Sequence, residues 1–398
     1  MIDKKKLVII LAIILSVLGV LAGGLILLKR NGFQFNISLP TGCTSCSKIN
    51  NLGVGNEATN PEEQKKLDEQ EYADTNISSD GKHIALENAA NGKYKRFSKG
   101  ILSATDTSLT LYNQEGESEW SSKIQIASPI LEVAGDDIVV YEENGKKLTV
   151  YNKNQHKYSK TVGGNIKTAS ISESGDVAVV FEREGYKGSV IVYNKEGQEV
   201  YLWNSGKFRI IDADISPSRR LAVTLLDTNN TLDSKIYYFD LEKSGPESTI
   251  SISDTVVFDI DFDGDVLNAY CDNKLIATDT KGDIKWHYDF NKRNITRYIM
   301  TEKGEKVISF DNHNVSEITI VSRTGDEKKT IKTDILPDCL DCYEDRVLFN
   351  SGRTIIISDP SGEVIARYTA SRDIKKAYLI NSKKIFIVYT TGIEFLDI

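Results

Sequence analysis

Leu109-Thr-Leu-Tyr-Asn113-Gln-Glu-Gly116 returns as Val190-Ile-Val-Tyr-Asn194-Lys-Glu-Gly197 and again as Leu275-Ile-Ala-Thr-Asp279-Thr-Lys-Gly282. Two further copies are Ile318-Thr-Ile-Val-Ser322-Arg-Thr-Gly325 and Ile355-Ile-Ile-Ser358-Asp359-Pro-Ser-Gly362. Looser copies lie at residues 148–155 and 236–245, and a truncated one, Ile393-Glu-Phe-Leu-Asp-Ile398, ends the sequence. Each copy is a short β-branched run followed by a tight turn. Asn, Asp or Ser opens the turn because its side-chain oxygen can accept from the backbone two residues on. Gly three positions later tolerates the positive φ that closes it.

Working outward, an apolar run precedes each of these strands, as in Val177–Phe181 and Ile385–Tyr389. A third run lies before that, as at residues 166–171 and 210–215, and a more polar fourth follows the turn. The copies start 37 to 46 residues apart. Four short strands in roughly 40 residues is the spacing of a β-propeller blade. The internal period is two rather than 3.6, which excludes a helical solenoid. The fold class expected is all-β: one propeller of eight blades, or seven if the weakly apolar Lys93–Phe97 fails as a strand. The last unit has room for only three strands. The segment 82–87, ahead of the first unit, is expected to supply its outer strand and so leave no open edge.

Three units carry an aromatic four residues after the turn glycine: Trp120, Tyr201 and Trp286. This element resembles the Gly-x-x-x-Trp of PQQ-like (quinoprotein-like) propeller repeats, over roughly residues 94–398. The whole layout is similar to anchored propeller proteins of Gram-positive bacteria. The WD40-like spacing of strands agrees with the same architecture. The resemblance implies fold and broad location. It does not imply a quinone cofactor, because the adjacent cysteines that such dehydrogenases carry near the cofactor are missing.

The N-terminal region has a different composition. Residues 7–28 form an uncharged run rich in Leu, Ile and Val, about 33 Å long as a helix and sufficient to cross a bilayer. The run continues past the small residues Ala22-Gly23-Gly24, so a retained transmembrane helix is expected rather than a cleaved signal. The division expected is a basic N-tail (1–6), the helix (7–28), a flexible stalk (29–75) and the propeller (76–398). Residues 1–30 hold five Lys/Arg against Asp3, a charge of +4, so the net −8 leaves −12 for the remainder. An acidic domain of that kind repels phosphate backbones, which argues against nucleic acid as a partner. Basic residues on the short tail favour a cytoplasmic N-terminus and an extracytoplasmic propeller in the cell membrane.

Candidate chemistry is sparse. Asp259-Ile-Asp261-Phe-Asp263-Gly264-Asp265 spaces oxygen ligands like the first half of a calcium loop, making Asp259, Asp261 and Asp263 candidate calcium ligands. The twelfth position is Tyr270 rather than a bidentate Glu, and Ser170–Asp176 occupies the same hairpin, so Gly264 and Asp265 also read as turn residues. Cys43/Cys46 and Cys339/Cys342 are candidate disulfide or redox pairs, with Cys271 left over as a buried thiol. The four histidines fall in no metal spacing, and no nucleophile elbow or phosphate-binding glycine loop occurs. No catalytic residue and no cofactor beyond that calcium are assigned. The sequence favours a membrane-tethered scaffold that docks an unidentified protein on a propeller face or channel. The alternatives are a carbohydrate-active enzyme using channel carboxylates and a ligand or glycan sensor. Converging acids in a channel pocket would favour the enzyme.

Overall fold

The computed structural model describes residues 81–227, 233–312, 315–333 and 335–398. The expected membrane helix (7–28), the expected stalk (29–75), and Cys43 and Cys46 lie outside the described residues. Among the described residues no helix is long and apolar enough to cross a membrane.

Eight four-stranded antiparallel sheets follow one another along the chain, each with its strands in sequence order apart from the last. Blades 1 to 7 span residues 93–123, 129–161, 166–205, 209–252, 257–289, 294–333 and 339–369. Lys93–Phe97 is the innermost strand of blade 1, with Tyr94 and Phe97 buried, which decides for eight blades over seven. Blade 8 takes Lys376–Asn381, Lys384–Tyr389 and Gly392–Asp397 from the C-terminus and Lys82–Ala85 from the other end of the chain. That strand pairs from Lys82 opposite Phe395 to Ala85 opposite Gly392, closing the ring as the repeat requires.

The recurrent turn forms as its residue types dictate. Asn194 Oδ1 accepts from the N–H groups of Glu196 (3.2 Å) and Gln198 (2.8 Å). Asn113, Asp279 and Asp359 repeat the arrangement. The closing glycine has φ +78° at Gly197 and +91° at Gly325.

The core lies in the wedges between blades. Val177, Val179 and Phe181 of blade 3 pack on Val139, Tyr141, Leu148 and Val150 of blade 2. Ala178, Val180 and Val192 face the other way, onto Val223, Leu225 and Phe239 of blade 4. Middle strands such as Val177–Phe181 are therefore buried on both faces, whereas outer ones such as Ser118–Lys123 alternate. The outer strands also dock on the neighbouring turn. Trp286 of blade 5 lies over Gly325 of blade 6, where a Cβ would come within 2.6 Å of its ring, and Trp286 Nε1–H donates to Arg323 O at 3.0 Å. Tyr158 covers Gly197 in the same way, and Phe395 covers Gly116 across the closure. At Trp286 the aromatic after one turn and the glycine of the next are thus two halves of one inter-blade contact.

Candidate vestibule in the central channel

The innermost strands surround a cavity of about 500 Å³, to which all eight blades contribute. Its lining includes Gly135, Glu173, Pro217, Gly264 and Glu302, all in turns between first and second strands. It therefore opens at the end of the channel that those turns encircle. Eight carboxylates line it against two basic side chains, Lys95 and Arg96.

Six of the eight come from inward positions of extended strands, where alternate residues share a face, and Glu173 and Glu302 come from the turns. Arg209–Ile215 of blade 4 presents Asp212 and Asp214, and Val257–Asp263 of blade 5 presents Asp259 and Asp261. Together they form a two-by-two array on neighbouring strands. Asp212 Oδ2 accepts from Ile260 N–H (3.3 Å) and Asp214 Oδ2 from Phe262 N–H (2.8 Å), joining blade 4 to blade 5. Asp341 repeats the device in the strand Cys339–Tyr343 of blade 7, accepting from Leu379 N–H of blade 8 at 2.8 Å. Arg96 of blade 1 reaches the same Asp341 oxygen at 2.6 Å. Lys95 pairs with Glu132 of blade 2.

Removal from water dominates the protonation of this array. Burial pushes Glu132 up to about 7 although Lys95 offsets part of the rise. Asp214 is pushed up to about 6 by burial, held back by the Phe262 and Ile215 N–H groups. Asp212 is raised well above the carboxylate range by burial and then by the Asp259 charge, to which it is hydrogen-bonded. Asp259 rises less, because Tyr298 Oη donates to it at 2.5 Å and Asp212 bonds it from the other side. Asp261 is raised well above its usual range by burial, Asp214 and Asp259. It has no hydrogen-bonding partner among the described residues. Lys306, fully buried beside the array, is pushed down to about 8 by burial, and its Nζ donates to Gly304 O at 2.7 Å.

Sequence reasoning located Asp259 and Asp261 but assigned them a different geometry. Asp259, Asp261 and Asp263 sit on one extended strand rather than in a ligand loop, so their Cα atoms are spaced roughly 6.5 Å apart. Asp259 is engaged by Tyr298, and Asp263 by Arg323 at 2.7 Å. Gly264, at φ +62°, and Asp265 form the turn as expected. Among the described residues no three acids, histidines or cysteines converge as a metal site. Cys339 and Cys342 require a correction too. Three residues apart on an extended strand, they lie about 10 Å apart on opposite faces, beyond disulfide reach. Cys339 is disulfide-bonded, but not to Cys342, which is a free buried thiol. Cys271 is buried and free in a strand, as expected.

Glu132, Asp212, Asp214 and Asp341 escaped the sequence reading. Their signal was present: Ile210-Ile-Asp212-Ala-Asp214-Ile215 places acids at alternate positions of an apolar inner strand, as Asp259 and Asp261 do one unit later.

A family of unknown function (DUF5711) matches residues 68–398. The chain belongs to this family. No curated protein sequence matches it. Solved structures similar to it include BamB from Moraxella catarrhalis, with 11% identity, TM-score 0.53, and 81% of this chain and 99% of that one covered. The C-terminal WD40 domain of Sif2 is similar at 11% identity and TM-score 0.58, over 80% of this chain and 98% of that one. The β-propeller domain of Myceliophteria thermophila Cps50 (Swd1) aligns at 10% identity and TM-score 0.51, over 81% and 99%. At these identities the likeness is one of fold, and the β-propeller is the fold shared.

Proposed function

We propose that this DUF5711 member is a membrane-tethered, extracytoplasmic binding platform whose docking site is the acidic vestibule of the propeller. One observation carries the docking site: a cavity of about 500 Å³ at a channel end, lined by inward carboxylates of several blades. That volume lies within the range of ligand pockets. The tether rests on the uncharged run at residues 7–28 with basic residues on both sides.

The test uses the full-length chain in intact cells and in gently solubilised membranes. Protease added outside intact cells is expected to degrade the propeller, and full protection would overturn the orientation. A partner is expected to co-purify with the wild type and to be lost from the Asp261→Asn variant. Equal recovery with both would move the docking site away from the vestibule, and recovery with neither would sink the platform reading.

A second reading, a carbohydrate-active enzyme, is favoured by one feature, the hydrogen-bonded Asp212–Asp259 pair in the cavity. The geometry is unfavourable to it. Glycosidase carboxyls stand about 5–9.5 Å apart, leaving room for sugar and water, whereas this pair is in direct contact. Release of reducing sugar from oligosaccharides, lost in Asp259→Asn, would restore that reading.

A further inference from the structure

The vestibule combines three features that select among ligands. The first is acidity, with eight carboxyl groups against Lys95 and Arg96, both already paired to Glu132 and Asp341. The second is unmet hydrogen bonding. Asp341 is fully buried, lines the cavity, and its Oδ1 has no partner among the described residues; Glu132 Oε1 is buried without one as well. Buried acceptors without donors are costly, and a ligand that brings N–H donors removes the cost. The third is aromatic. Tyr270 and Tyr298 are stacked at 4.2 Å between ring centroids, and both line the cavity beside the aspartate array.

We infer that the vestibule binds an organic cation through a primary ammonium group, which Asp261 and its neighbouring carboxylates receive next to the stacked tyrosines. Donor-rich ammonium suits acceptors distributed around a ring, and aromatic faces add cation–π attraction. A bare metal ion requires several oxygens converging within about 2.5 Å, an arrangement that no three acids adopt among the described residues. The inference rests on the vestibule being the docking site and names the chemistry that docks. The ammonium can be that of a free polyamine or of a partner's lysine, and the test separates the two.

The probes are spermidine, an acetylated and amidated tri-lysine peptide, and Ca²⁺, each titrated into the purified full-length chain by calorimetry at about 150 mM salt. Spermidine is expected to bind with one site per chain. Asp261→Asn should weaken it at least 10-fold, since this carboxylate has no hydrogen bond in the fold to lose. Asp254→Asn, an exposed change of equal charge, should leave it within 2-fold. Tri-lysine binding more tightly than spermidine would assign the ammonium to a partner's lysine, and the reverse order to a free polyamine. The inference is overturned if neither ammonium probe binds, if both aspartate variants weaken binding equally, or if Ca²⁺ displaces spermidine at lower concentration. A partner lost from Asp261→Asn yet insensitive to spermidine would leave the platform standing and sink the ammonium site. Spermidine binding without any partner would do the opposite.

Discussion

The outer junctions and the channel of this propeller are built from the same blades by opposite rules. At a junction such as Trp286 over Gly325, a large ring meets a residue with no side chain, and the ring's N–H is bonded to Arg323 O. At the channel, Asp212, Asp214, Asp259 and Asp261 stand where a repeat built for stability alone would place apolar residues. Junctions hold blade to blade by packing. The channel does so in part with carboxylates that accept the next blade's N–H groups, at the cost of desolvating them. The difference separates the scaffold, which the repeat explains, from a site, which the repeat does not.

Four measurements test this contrast. Gly325→Val should be the most damaging, because a side chain there meets Trp286 and the +91° φ disfavours a β-branched residue. A loss of about 3–5 kcal/mol is expected from the two effects together, read by urea unfolding. A loss under 1 kcal/mol would mean that the ring does not seat on the glycine. Asp341→Ala should follow at about 3 kcal/mol, since it leaves Leu379 N–H and Arg96 without their shared acceptor. An unchanged urea midpoint would remove the channel carboxylates from the clasp.

The third prediction concerns pH. Unfolded carboxyls titrate near 4, whereas folded Asp214 and Glu132 do so at about 6 and about 7. Between those values the folded state binds more protons than the unfolded one, so stability must fall as pH rises through that window. Surface carboxylates such as Glu182, held down by its bond to Lys167, act in the opposite sense, but Glu182 is half exposed and its contribution is small. The melting temperature should therefore be higher at pH 5 than at pH 7.5. Asp261→Asn should narrow the gap and raise the melting temperature at pH 7.5, because it removes a carboxyl whose ionisation burial, Asp214 and Asp259 all oppose. A flat profile would show the array to be solvated. The smallest effect is expected at the turns. Asn194→Ala deletes three local hydrogen bonds on the exposed rim and should cost about 1 kcal/mol. A larger loss would make the turns part of the junction rather than its edge.

Much of this protein was legible without coordinates. Strand number, blade length, the Asn and Gly of each turn, and closure by the N-terminal segment all follow from the repeat, because they are local patterns copied along the chain. Eight blades became certain only with Lys93–Phe97. Its charged residues conceal a strand until Tyr94 is seen packing on Phe386 of blade 8, at 5.2 Å between ring centroids. The role of Trp286 was half legible: its spacing marked it, but the glycine it covers lies in the following unit.

The vestibule belongs to the other category. Asp212 and Asp259 are 47 residues apart, and no local rule relates them. The cysteines at 339 and 342 looked like a pair by spacing, and an extended backbone turned them to opposite faces. The ring is written locally, because a strand's period and a turn's chemistry are properties of neighbours along the chain. Only the tertiary structure decided that the inward faces of successive blades bring their carboxylates into one desolvated cavity. Proximity across a closed ring depends on where each strand begins relative to the channel, which is fixed by packing between blades.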